Sequence, residues 1–170
     1  MKINQDKIKK MSVLLEKENY LYSRLLKISE NIQDTVVKND MEHLSKLVET
    51  EDSIFTQAEK LRQERMDVML AVKNDLGLSD EEYGLGKLME FMDEKEASEL
   101  NKLRDNLLEN INKLDSLNRN NHILVDYSMN LNAKFMNLLV NLGQNNTIYR
   151  QSGKVQSGDN VKRRILDRKI

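Results

Sequence analysis

The stretch LNKLRDNLLENINKLDSLNRNNHILVDYSMNLNAKFMNLLVNL, from Leu100 to Leu142, decides the fold. Leu100, Leu107, Leu114, Phe135 and Leu142 share one heptad position, and Leu103, Leu117, Leu124, Leu131 and Leu138 share the position three later. That spacing belongs to a helix with one apolar face. Ile111, Val125 and Leu139 widen the stripe to that of a bundle helix rather than a two-stranded seam. Residues 87–142 contain neither Gly nor Pro, which cost a helix interior about 1 and about 3 kcal/mol. One long helix is expected over about 93–142.

The same logic extends toward the N-terminus. Residues 1–76 also lack Gly and Pro. Ile8, Met11, Leu15, Tyr22, Leu25, Ile32 and Val36 fall three, four or seven apart, so a first helix is expected over about 4–37. Lys38-Asn39-Asp40 interrupts it, with Asp40 as an N-cap. A second helix, about 40–76, follows Met41, Leu44, Val48, Ile54, Ala58, Leu61, Val68 and Val72, with Glu51 and Arg65 intruding on its seam. At about 1.5 Å per residue each of these helices is roughly 50 Å long. Gly77 suits a left-handed helix end, and Ser79 with Glu82 forms a capping-box pattern for a short helix near 79–91. No run has a strand's period of two. The fold class is therefore all-α: three long antiparallel helices with a short connecting helix.

Residues 144–170 change character. They carry seven basic residues against two acids, while the whole chain has 27 against 28. Asn145-Asn146, Ser152-Gly153 and Ser157-Gly158 complete the composition of a flexible basic tail. Ile148, Tyr149, Val155, Ile165, Leu166 and Ile170 are apolar groups that a pure linker would not need. The expected division is a helical domain over 1–143 and a tail over 144–170.

Composition removes whole classes of function. Without Cys the chain has no disulfide, no Cys-ligated zinc, no iron–sulfur cluster and no cysteine nucleophile. Two His cannot build a three-His metal centre, and no Glu-x-x-His serves a di-iron bundle site. His122 and Asp126, four apart, are two polar neighbours rather than a metal site. Gly84-Leu85-Gly86-Lys87 lacks the spacing, the hydroxyl residue and the preceding strand of a phosphate loop. The expectation is a non-enzyme, with no catalytic residue, no cofactor and no metal. Lys162-Arg163-Arg164 and Arg168-Lys169 come with no recognition motif, so nucleic acid is not an expected partner. The longest apolar run, Val68 to Val72, is far below the roughly 20 residues of a membrane span, and the first residues hold no signal-peptide core. Direct membrane insertion is not expected, and a cytoplasmic location is.

One feature rises above a generic bundle. Asn121 occupies the seam position of Leu107 and Leu114, with Asn118 one turn before it. A seam Asn either sets register or oligomer state, or meets a partner's polar groups. The pattern Leu117-Asn118-x-x-Asn121-x-x-Leu124 is followed by Tyr149-Arg150-Gln151-Ser152-Gly153 and by the basic end Arg163-Arg164-Ile165-Leu166-Asp167-Arg168-Lys169-Ile170. Leu61-x-x-x-Arg65 lies on the second helix. In this order the motifs resemble those of the FlgN-type flagellar export chaperones. The resemblance implies a non-enzymatic cytoplasmic chaperone of three long helices. Its clients would be the C-terminal helical segments of hook-associated proteins one and three, kept from premature assembly and delivered to the export gate. Tyr149, with Gly153, matches the tyrosine associated with docking to the flagellar export gate protein.

An amphipathic client helix needs an apolar groove. The expected client-binding residues are Asn118, Asn121, Leu124, Leu131, Phe135, Leu138 and Leu142. The alternative for the five apolar ones is the chaperone's own core. A sister chaperone for the filament-cap protein and a structural coiled-coil adaptor, including a homodimer through the seam, remain the competing functions.

Overall fold

The computed structural model describes residues 3–79 and 84–145. The chain folds as α1 (Gln5–Lys38), α2 (Met41–Leu76), a short α3 (Leu85–Met89) and α4 (Glu94–Asn145). No strand occurs among the described residues. The three long helices stand within a few residues of their expected bounds. The chain divides into two units, Met1–Leu124 and Val125–Ile170, inside α4 rather than at its end. The described part of the second unit is the helical stretch 125–145, and the tail from residue 146 onward lies outside the described residues.

The helix ends follow from backbone donors and acceptors that lack an intrahelical partner. The Asn4 side chain accepts from the Asp6 N–H at 2.8 Å, and the Asp40 side chain accepts from the His43 N–H at 3.0 Å. Between α1 and α2, Asn39 adopts a left-handed conformation, and the Asp40 N–H closes on the Thr35 carbonyl. Gly77 ends α2 in the same conformation, with φ of 67°, where a Cβ would be strained. The short helix starts later than expected: its N-cap is Gly84, not Ser79, and no side chain caps it. Glu82, the other half of the expected capping box, lies outside the described residues.

The first unit holds the core. Met11, Leu14 and Leu15 of α1, Val68, Met69 and Val72 of α2, Leu85 and Leu88 of α3, and Leu100 and Leu107 of α4 form one buried cluster. The short helix thus seals one end of the bundle with two leucines. Toward the other end the seam of α2 departs from expectation. Met41 and Val48 are exposed and Leu44 is half-buried, while Ile54 and Ala58 carry the buried contact. The reason is that period alone cannot distinguish two adjacent apolar faces on one helix. Tyr22, expected in the seam of α1, is half-buried beside the cluster.

Arg65 does not disrupt the seam, because α1 supplies its counterion. Glu18, 1% exposed, receives the Arg65 guanidinium through Nε at 2.6 Å and Nη2 at 3.2 Å. A two-point bond of this kind fixes the orientation and register of α1 against α2. Lys7 with Asp75 repeats the pairing about three turns away at the surface. Tyr22 lies beside the ion pair. Its pKa is raised, first by burial and then by the Glu59 and Glu18 carboxylates, against the opposing pull of Arg62 and Arg65.

Two outcomes are expected in urea unfolding followed by far-ultraviolet circular dichroism. Arg65→Ala strands a buried carboxylate and should cost about 3–5 kcal/mol, whereas Glu18→Leu combined with Arg65→Met should recover most of that loss. The Tyr22 shift also has a definite sign. The unfolded chain loses the phenolic proton first, near pH 10, so stability falls as pH rises from there through the higher folded value. Tyr22→Phe should flatten that part of the profile.

Candidate functional site

The apolar stripe of α4 changes environment along its length. Leu100, Leu107 and Leu114 are buried, and Asn121 at the next heptad position is buried too. Phe135 and Leu142, on the same row, are 59% and 63% exposed. The second row behaves alike: Leu103, Leu117 and Leu124 are half-buried, and Leu131 and Leu138 are exposed. The core alternative for the distal residues is therefore not what the structure has. Within residues 125–142 of α4, Tyr127, Met129, Leu131, Phe135, Met136 and Leu138 are all exposed large apolar side chains.

Their distribution about the helix is uneven. At about 100° per residue, Leu124, Leu131, Phe135, Leu138 and Leu142 fall on one face, while Met129, Met136 and Val140 lie about 140° round from it. Asp126, Asn130, Lys134, Asn137 and Asn141 form a polar strip on one flank of that face, and Ser128 and Asn132 lie on the other. Isolated exposed apolar residues are ordinary, but a contiguous stripe rimmed by polar residues marks an interaction surface.

Asn118 and Asn121 stand at the boundary between the buried and exposed segments, and both turn to α1. The Asn121 amide donates to the Ser29 carbonyl at 2.7 Å and to Ser29 Oγ at 2.9 Å. Ser29 Oγ donates to Asn118 Oδ1 at 2.7 Å. Asn121 Oδ1 is buried and has no partner. Of the two readings open from sequence, the register role is the one with visible geometry. The partner of the asparagines, Ser29, was not singled out in the sequence. The signal that could have found it is a Ser on the buried face of α1, between Ile28 and Ile32. A shallow polar cleft between α1 and α4 repeats this pairing, with Asn19 donating to the Leu103 carbonyl and Asn110 donating to Asn19. Tyr149 and Gly153 lie outside the described residues.

Among the described residues no group of three or more His, Asp or Glu side chains is placed to hold a metal. No described helix is long and apolar enough to cross a membrane.

The model of the FlgN protein family matches residues 1–157. The chain belongs to the FlgN family. It is a flagellar export chaperone by that membership, and the family is one of chaperones rather than enzymes. Comparison with curated proteins and with solved structures found no match.

The polar cluster at the boundary should be measurable as a coupling. Asn121→Ala is expected to destabilise the bundle, and a double-mutant cycle with Ser29→Ala should give an interaction energy of about 0.5–1.5 kcal/mol. Additive effects in urea unfolding would mean that the cluster does not tie α4 to α1.

Proposed function

We propose that this chain binds the amphipathic C-terminal segments of hook-associated proteins one and three along the distal part of α4. The observation that carries the reading is the exposure of Leu131, Phe135, Leu138 and Leu142 on one helical face. A protein end that builds a helical junction exposes an apolar stripe until it assembles. The chaperone stripe covers it helix-in-groove, prevents premature assembly and releases it at the export gate. Each anchor that becomes fully buried contributes about 1.5–3 kcal/mol before ordering costs, so three or four suffice for micromolar binding.

In this reading Leu124, Leu131, Phe135, Leu138 and Leu142 contact client. Asn118 and Asn121, already engaged by Ser29, hold the helix in register instead of touching client. Tyr149 and Gly153 dock the loaded complex on the membrane export gate protein. The work takes place in the cytoplasm and calls for no cofactor.

Calorimetric titration with C-terminal peptides of the hook-associated proteins tests this, with a filament-cap peptide as control. Saturable one-to-one binding to the hook-associated peptides alone is expected. Phe135→Asp should abolish it while the circular dichroism spectrum stays helical. Binding to the cap peptide alone would assign the chain to the filament-cap client. No binding, together with a tight homo-oligomer, would make the stripe a self-association surface.

A further inference from the structure

The N-terminal half of α2 carries apolar surface that the bundle leaves uncovered. Met41, Val48 and Phe55 are spaced by seven residues and exposed, with half-buried Leu44 between them. Seven-residue spacing puts them on one side of the helix. Glu51 lies at the edge of this strip, half-buried, and burial alone raises its pKa. Residues 40–55 hold Asp40, Glu42, Glu49, Glu51 and Asp52 against Lys46 alone, and Lys46 is bound to Glu42 at 2.7 Å.

An apolar strip edged by an excess of carboxylates selects a segment that brings both apolar side chains and cations. The chain itself contains one. Residues 161–170, Val-Lys-Arg-Arg-Ile-Leu-Asp-Arg-Lys-Ile, carry five bases and one acid among four aliphatic side chains. We propose that the α2 strip formed by Met41, Leu44, Val48 and Phe55 is the docking site of the chain's own segment 161–170.

Electrostatics chooses α2 over the other exposed apolar surface. Residues 40–55 have a net charge of −4 and residues 161–170 one of +4, whereas Asp126 and Lys134 cancel along 124–142. Charge complementarity therefore discriminates between two surfaces of similar apolar character. The 16 steps from Asn145 to Val161 span up to about 54 Å. A tether of this length supplies an effective concentration of about a millimolar, so even a weak contact is populated.

The proposal is independent of which client the α4 stripe takes. Because the chain has no Cys, Ser157→Cys accepts a single nitroxide label in the full-length protein. Paramagnetic broadening of backbone amide signals then reports where the neighbouring segment lies. Amides of residues 41–55 are expected to lose at least half their intensity, while those of 127–142 keep theirs. Arg163→Glu with Arg164→Glu should restore the α2 signals, and about 0.5 M salt should do so in part. Broadening centred on 127–142, or none on either surface, would overturn the proposal. So would equal broadening of isotope-labelled protein by a spin-labelled second copy, since the occupant would then be another molecule. Calorimetric binding of client by the Arg163→Glu, Arg164→Glu variant separates this outcome from the client reading.

Discussion

The length of α4 is the constraint on which the rest depends. Its 52 residues exceed the 34 of α1 and the 36 of α2. A helix rises by a constant about 1.5 Å per residue, so partners of that length can accompany only about two thirds of it. The apolar pattern of α4 does not stop where such partners would run out. It continues through Leu131, Phe135, Leu138 and Leu142, which are exposed. Hydrophobic burial inside the first unit and exposed apolar surface in the second are thus two uses of one uninterrupted repeat. The first stabilises the fold, and the second is surface available to a partner.

A repeat that is nearly uniform invites slippage, because a shift by one heptad re-forms most contacts. Polar groups remove that degeneracy. The Glu18–Arg65 pair sets α1 against α2, and the Ser29 cluster with Asn118 and Asn121 sets α1 against α4. Neither is a strong source of net stability, since burying charge or amide groups costs much of what their bonds return. Their effect is to make the wrong registers worse. The unpartnered Asn121 Oδ1 shows that this specificity is obtained at some cost in stability.

The helices were legible because their signals are local. Period, the absence of Gly and Pro, the Asp40 cap and the Gly77 end each depend on a few adjacent residues, and each appears in the structure. The start of the short helix was not legible. Ser79 offered a better cap than Gly84, but where α3 begins also depends on placing Leu85 and Leu88 in the core, a nonlocal requirement. The same limit applies to α2. Met41 and Val48 fit the apolar period as well as Ile54 and Ala58 do, and only the position of neighbouring helices separates exposed from buried.

The candidate site divides along the same line. The distal leucines and Phe135 could be named from sequence, because a stripe is a one-dimensional pattern. Whether that stripe faces a core or water could not, since burial depends on what lies across from it. Asn121 could be singled out as a polar residue in an apolar row, yet its partner Ser29 lies 92 positions away in the chain. Sequence alone therefore determined the all-α class, the three long helices with their caps, and the family motifs. Tertiary structure decided which parts of those apolar rows are core, which are exposed, and which polar groups hold the helices in register, because each depends on side chains far apart in the chain.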